Sequence, residues 1–383
     1  ENRYDYLNLN TCRFLWKQVK FPTATDASNT TAQVLKQGEV QGSDVAAHSA
    51  GVLDIKTTIL PDADALFLTA IDRYGHELWR WTFPVNKLNQ ANEVLSPLSN
   101  KVTSTETENE LTVKAKNHTF IFSKKDGQLK GVSVNNRKIS FANGPRFIGA
   151  RRADRSLDQF YNHDDEKAKE KDRTYSEFPD AAVFTKLDVK EDGGNLIVTA
   201  DYKLGNLDKV QWTINPNGEA VLDYTYNFSG VVDLMGICFD YPEDQVISKR
   251  WLGAGPYRVW QNRIHGTQYD VWENDYNDPI PGETFTYPEF KGYFGSVSWM
   301  NIRTKEGTIS LTNETPDAYI GVYQPRDGRD RLLYTLPESG ISVLNVIPPV
   351  RNKVNSTDLC GPSSQPKWVN GPQSGRIIFR FME

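Results

Sequence analysis

The amino-acid sequence predicts an all-β protein, and three observations support that prediction. First, aromatic residues make up 11% of the 383 residues, and aromatic side chains favour the pleated surface of a sheet. Second, Asp126-Gly127 and Asn217-Gly218 lie between strand-like runs, where they predict hairpin turns because glycine accepts a positive φ. Third, apolar residues recur at helical spacing almost nowhere in the chain.

The predicted strands follow one another along much of the chain. Each is a run of alternating or mainly apolar residues bounded by turn residues. In order they are 66–75, 76–85, 110–115, 118–123, 129–134, 195–204, two strands within 209–229, and 375–381. The first two meet near Gly75, and those at 118–123 and 129–134 are joined by the turn that contains Asp126-Gly127. The charged stretch 163–173 interrupts this pattern and predicts a helical turn or a loop with solvated charges.

The segment 96–110 is the best candidate for a linker between domains. It contains a proline and many serine, threonine and asparagine residues, and it separates two blocks of strand-like sequence. We therefore predict two β-domains, residues 1–97 and 98–383. The first is of ordinary sandwich size and the second is much larger.

The charge and the apolar pattern argue against two classes of partner. The formal net charge is -5 and both signs are spread along the chain, whereas a nucleic-acid binder needs a basic surface. No apolar run approaches the roughly 20 residues that span a bilayer. The opening residues lack the basic and apolar regions of a signal peptide, so the sequence leaves the compartment open between periplasm or secretion and cytoplasm.

The sequence contains no specific catalytic or metal-binding motif. Phosphate-binding and dinucleotide-binding glycine motifs are missing, as are the zinc-protease and serine-hydrolase motifs. Histidines are scattered, and Cys12, Cys238 and Cys360 are far apart, so we expect inert or buried thiols. We therefore predict no cofactor, no metal and no catalytic residue in this chain.

An aromatic-rich run, 251–272, has two interpretations. It reads WLGAGPYRVWQNRIHGTQYDVW and includes three tryptophans and two tyrosines. The rings could stack on sugar faces beside the polar Asn262 and Arg263, or they could pack in the core of a large sheet. We favour the core and expect a sheet edge followed by a turn. Gly253, Gly255 and Pro256 would fix that turn, and Trp251 should be buried.

Four segments resemble one family, the family 2 β-galactosidases. Residues 251–263 resemble the Trp-x-Gly-x-Gly-Pro signature of their last domain, and 120–139 is similar to the opening hairpin of that domain. Residues 366–381 look like its end, where a Trp precedes the last strands. Residues 1–17 resemble the start of the immunoglobulin-like domain that follows the catalytic barrel in those enzymes. The resemblance implies an immunoglobulin-like β-sandwich followed by a large antiparallel sandwich related to galactose mutarotases.

Departures from the family pattern concern the sugar that is recognised. Arg258, Trp260 and Asn262 stand where the family has Glu, Tyr and Asp, and 147–159 replaces a Trp-Arg-Ala-Pro-Thr-Asp-Asn-Asp run. These changes suggest a relative that acts on a sugar other than galactose. The barrel that holds both catalytic glutamates of the family would lie upstream of this chain. The resemblance therefore implies a non-catalytic C-terminal part of a glycoside hydrolase, with carbohydrate and the upstream barrel as its partners.

The resemblance implies one substrate-binding residue in this sequence. In the family, a Trp of the last domain reaches back to line the sugar site, and Trp368 holds the matching place. Its segment, 355–368, is rich in Gly, Pro and Ser and predicts a surface loop. Two alternatives stay open: a free-standing carbohydrate-binding protein, and a mutarotase-type epimerase using a histidine such as His163.

Overall fold

The structure is a computed structural model in which two compact units are distinguished. The units are Glu1–Asn92 with Gln268–Trp272, and Glu93–Thr267 with Glu273–Glu383. It describes residues 1–26, 31–86, 101–152, 175–178, 180–275, 292–322, 337, 339–349 and 361–383. The boundary predicted at residues 97 and 98 lies outside the described residues and stays a prediction.

The first unit is built on an antiparallel sheet. Its strands in the described part of the chain are β1 (Arg13–Lys20), β2 (Gln33–Gln41), β3 (Ala65–Ile71) and β4 (Glu77–Pro84). They are arranged in the order β2-β1-β3-β4. The strands predicted at 66–75 and 76–85 are thereby confirmed as β3 and β4. The immunoglobulin-like topology comes from the resemblance, and the four described strands supply one sheet of such a sandwich.

One face of this sheet carries large apolar side chains that are only partly covered. Trp79, Trp81 and Phe83 alternate along β4, and each is 37–46% exposed. They line a cleft of about 510 Å³, with Phe14 and Ala70 among its other lining residues. Successive side chains of a strand point to opposite faces, so these three rings lie on one face of β4 and the half-buried residues between them lie on the other.

A larger sheet in the second unit is also antiparallel. Its strands among the described residues are β5 (Thr103–Glu106), β6 (Glu110–Ala115), β7 (His118–Ser123), β8 (Leu129–Val134), β9 (Arg137–Ile139), β10 (Ala142–Arg152), β11 (Tyr175–Glu177), β16 (Leu234–Asp240), β21 (Tyr319–Gly321) and β22 (Ile341–Val346). The main path is β21-β22-β16-β10-β8-β7-β6-β5, with β9 beside β8 and β11 beside β10.

A second large sheet runs through the rest of the described chain. Its nine strands there are β12 (Val183–Asp192), β13 (Asn195–Lys203), β14 (Leu207–Ile214), β15 (Ala220–Val232), β17 (Val246–Gly255), β18 (Gln268–Asp275), β19 (Trp299–Thr304), β20 (Gly307–Asn313) and β23 (Lys367–Met382). The order is β12-β13-β14-β15-β23-β20-β19-β17-β18. The paired strands β15 and β23 lie at its centre and stay in register from Ala220↔Phe379 to Val232↔Lys367.

A cluster of aromatic rings joins the two large sheets face to face. Phe239 on β16 and Phe141 stack with ring centroids 4.5 Å apart. Phe379 on β23 contacts both rings, at 5.6 and 5.2 Å, and lies 5.9 Å from Trp212 on β14. All four side chains are buried. Since the rings come from both sheets, the second unit is a β-sandwich, and this aromatic cluster lies in its core.

The structure confirms the all-β prediction, and β6, β7 and β8 have the predicted bounds. Gly127 and Gly218 have φ values of +72° and +87°, as the two predicted turns require. The linker prediction is wrong over Thr103–Glu106, which forms β5. The backbone of these polar residues pairs with the edge of β6, while all four side chains stay exposed. The strand therefore has no apolar face by which it could be recognised in the sequence.

Helical structure is sparse among the described residues. It consists of three single 3-10 turns, at Leu9–Thr11, Glu243–Gln245 and Pro362–Ser364. None of the described helical segments has the length and apolar character that a membrane span requires. Cys12 and Cys238 are buried free thiols as expected, whereas Cys360 and the charged stretch 163–173 lie outside the described residues.

Candidate functional site

Trp368 lies near the start of β23 with 70% of its surface exposed. Its backbone pairs with Val231 of β15, so the residue belongs to a strand. The surface-loop prediction is therefore wrong for Trp368 itself, and 355–360 lies outside the described residues. The ladder with β15 starts at Lys367 and defines the backbone direction at Trp368. The indole is thus an exposed aromatic side chain on a fixed backbone.

Two amides hold the turn that precedes Trp368. Gln261 Nε2 donates to the carbonyl oxygens of Ser363 and Gln365, at 3.1 and 2.8 Å. Asn262 Nδ2 donates to Ser364 Oγ at 3.0 Å. The segment leading into β23 is therefore tied to residues about a hundred positions earlier in the chain. These hydrogen bonds restrain the backbone of the segment that precedes Trp368.

The aromatic run that contains Gln261 and Asn262 does not form one platform. Trp251 is fully buried and Trp260 is 2% exposed, whereas Tyr257 is 48% exposed. Trp251 donates from Nε1 to the carbonyl oxygen of Ala254 at 2.9 Å. The prediction of a buried Trp251 is confirmed. The expected sheet edge is wrong, because β17 lies between β18 and β19.

Trp260 belongs to a buried cluster on the other large sheet. Its ring meets that of Tyr293 edge to face, with centroids 5.6 Å apart. The same cluster includes Val259 and residues of β10, β16 and β22. Asn262, which the less favoured interpretation placed beside a sugar, donates from Nδ2 to Ser364 Oγ. No local pattern of residues indicates these roles of Gln261 and Asn262, because their partners lie far along the chain.

The described histidines show no convergent arrangement. His118 is buried, its Nε2 lies 2.8 Å from the carbonyl oxygen of Phe381, and burial lowers its pKa. His48 and His76 are exposed and lie beside Asp5 and Asp72 respectively. In the part of the chain that the structure describes, no three His, Cys, Asp or Glu residues are placed to hold a metal ion. His163, the basis of the epimerase alternative, lies outside the described residues.

The lineage follows from a comparison with protein families. Residues 114–347, more than half of the chain, match the family described as β-galactosidase small chain. The chain belongs to this family. The match lies within the predicted residues 98–383 and confirms the resemblance to the last domain of β-galactosidases. Trp368 lies beyond the matched residues, so the role carried over to it stays a prediction.

Solved structures similar to this member of the β-galactosidase small-chain family include an epimerase and an epimerase homologue. A galactose 1-epimerase from Lactobacillus acidophilus NCFM is 9% identical over 74% of this chain and 98% of its own, with a TM-score of 0.40. An aldose epimerase homologue from C. elegans is 8% identical over 73% of this chain and 99% of its own, with a TM-score of 0.35. Because both scores are below 0.5, we draw no function from these proteins. A search of curated proteins found no match.

Proposed function

We propose that this chain is the non-catalytic C-terminal part of a family 2 glycoside hydrolase and that Trp368 helps to line the sugar site of an upstream catalytic barrel. The main support for this proposal is the exposed indole of Trp368. Membership of the β-galactosidase small-chain family supports the lineage. Arg258, Trp260 and Asn262 do not identify the sugar, because Arg258 and Trp260 are buried and the Asn262 amide donates to Ser364 Oγ.

Trp368 combines an exposed ring with a restrained backbone. A tryptophan stabilises a fold mainly by removing its large apolar surface from water, and Trp368 leaves 70% of its surface in water. Its backbone is nevertheless fixed by β15 and by the amides of Gln261 and Asn262. An exposed flat ring on a fixed backbone is suited to stacking against the apolar face of a sugar. Little ordering would then be required when the sugar binds.

We expect the chain alone to leave aryl β-glycosides unhydrolysed, and a protein that also includes the upstream gene segment to hydrolyse them. Retaining hydrolysis needs two carboxylates about 5–5.5 Å apart across the sugar, and the proposal places both on the barrel. The measurement is release of nitrophenol from a panel of nitrophenyl β-glycosides. A barrel variant lacking its nucleophile controls for contaminating enzymes. Turnover by the purified chain alone would contradict the assignment.

We expect Trp368→Ala to lower kcat/KM of the full-length enzyme by about 5–150-fold, or roughly 1–3 kcal/mol, the scale of stacking on an aromatic ring. The same change should leave the melting temperature of the isolated chain nearly unaltered, because little buried surface is lost. Trp368→Phe keeps a flat ring and should recover much of the activity. Trp79→Ala, on a partly exposed tryptophan of the first unit, is the matched control and should leave kcat/KM unchanged. A large loss of stability without a kinetic effect would assign Trp368 to packing.

A further inference from the structure

The outer face of the nine-stranded sheet contains a groove that the proposed function does not use. Its volume is about 430 Å³, within the range of small-molecule sites. We call it the polar groove and define it by side chains from β14, β15, β23 and the turn after β20: Lys209, Gln211, Asp223, Thr225, Glu314, Pro316, Ser374 and Arg376. The groove therefore lies over the centre of the sheet, away from its edges.

Strand register arranges these side chains in two rows of three. Gln211 pairs with Asp223, which pairs with Arg376 on its other side. The next row, two residues along each strand, consists of Lys209, Thr225 and Ser374. Residues two apart on a strand share a face, and directly opposed residues lie about 5 Å apart. The groove is thus a compact grid of amide, carboxylate, guanidinium, ammonium and hydroxyl groups.

Ion pairs fix the middle of the grid. Arg376 Nη1 donates to Asp223 Oδ1 and Oδ2 at 3.0 and 3.1 Å, and its Nε lies 3.0 Å from Glu314 Oε2. The turn that bears Glu314 is itself bound to β23, because Arg376 N donates to Thr315 Oγ1 at 3.0 Å. Within the part of the chain that the structure describes, Lys209 and Gln211 make no side-chain hydrogen bond. Their donors and acceptors are available to a ligand.

The floor of the groove is formed by Gly375 and Tyr224, which pair across β23 and β15. A Cβ at Gly375 would lie 2.3 Å from the Tyr224 hydroxyl oxygen and 2.6 Å from Thr315 Oγ1. Glycine at this position therefore keeps the phenol seated under the groove. Burial raises the pKa of Tyr224 to about 12, so the phenol stays neutral at physiological pH.

Charge balance identifies the class of ligand. Lys209 and Arg376 contribute two positive charges, and Asp223 and Glu314 contribute two negative charges, so the groove as a whole is neutral. Such a site has no net attraction for phosphate or for a metal ion. Its mixed donors and acceptors match vicinal hydroxyl groups, each of which both donates and accepts a hydrogen bond. We propose that the polar groove binds a neutral hydroxyl-rich ligand, a monosaccharide or one unit of a saccharide.

The polar groove and Trp368 lie on the same face of β23 but at separate positions along it. Trp368 and Ser374 are six residues apart on β23, which corresponds to about 20 Å. Every second residue between them is exposed, so both side chains are on the exposed face of the strand. A monosaccharide in the groove therefore cannot reach the indole. Sugar binding in the groove does not require an upstream barrel, and the groove would be a second carbohydrate site besides the one that the proposed function requires.

Saturation-transfer NMR on the intact chain, with galactose, glucose and mannose as separate probes, tests the proposal. We expect transfer to at least one sugar and a millimolar Kd, whereas inorganic phosphate should show no competition. The double variant Gln211→Ala with Asp223→Asn should weaken that sugar about tenfold or more, since two of the groove's hydrogen-bonding groups are changed. Lys190→Ala on β12 of the same sheet lies outside the groove and should bind like the wild type.

The remaining outcomes separate this site from that of Trp368. Unchanged circular dichroism and melting temperature would show that the double variant is folded. If the variant lost its fold, Lys209→Ala would replace it, with weaker sugar binding again expected. If Trp368→Ala abolished sugar binding and the folded groove variant did not affect it, the sugar would bind at the indole. That result would overturn the proposed site in the groove. Absence of transfer from all three sugars would also overturn it, without bearing on hydrolysis by the full-length enzyme.

Discussion

Trp251→Ala should destabilise the chain by about 3–5 kcal/mol, the range for deleting a buried large aromatic side chain. Trp251 is fully buried, and its ring meets Phe294 edge to face with centroids 4.9 Å apart. The change also removes the hydrogen bond from Nε1 to the carbonyl oxygen of Ala254. That oxygen is then left without this donor in a water-poor environment, which adds to the loss. Denaturant unfolding followed by tryptophan fluorescence and far-UV circular dichroism measures the effect.

Trp368→Ala is the matched control, because the same residue type is deleted at a position that is 70% exposed. We expect its free energy of unfolding to lie within about 0.5 kcal/mol of the wild type, as for other surface substitutions. An equal loss in both variants would mean that exposure does not distinguish the two tryptophans. An unaltered midpoint for Trp251→Ala would show that its ring contributes little to the core.

Phe379→Ala should also cost about 3–5 kcal/mol, because Phe379 connects the two large sheets. Its ring contacts Phe141, Phe239 and Trp212, which come from both layers of the sandwich. Deleting it leaves a cavity between sheets whose backbones are fixed by their ladders, so the surroundings relax only partly. Chemical denaturation monitored by circular dichroism, with binding of a hydrophobic dye as a second signal, measures the loss.

Phe83→Ala provides the control for that substitution, since Phe83 is 46% exposed on β4 of the first unit. We expect it to lower stability by less than half as much. Phe379→Leu keeps most of the apolar volume and should recover part of the stability. If Phe379→Ala and Phe83→Ala had the same cost, the buried ring of Phe379 would stabilise the chain no more than a partly exposed ring does.

Local patterns in the sequence determined the fold class and many strand bounds. Glu110–Ala115, His118–Ser123 and Leu129–Val134 form at the predicted positions. Each combines alternation with a turn whose glycine or short polar residues are recognisable within a few positions. The family was also readable from short motifs, since the Gly-Pro signature and the opening hairpin are contiguous segments. These features depend on residues that are neighbours in the chain.

The tertiary structure alone decided which residues meet. Thr103–Glu106 becomes a strand because β6 offers it an unpaired edge. Gln261 fixes the turn before Trp368, and Arg376 brings Asp223 and Glu314 together in the polar groove. The periodicity of apolar residues indicates which face of a strand each side chain occupies. It does not show which strands pair or in what register. Register and burial follow from packing over the whole sandwich, so the sequence predicts strands while the assembled sheets decide which aromatic and polar side chains face water.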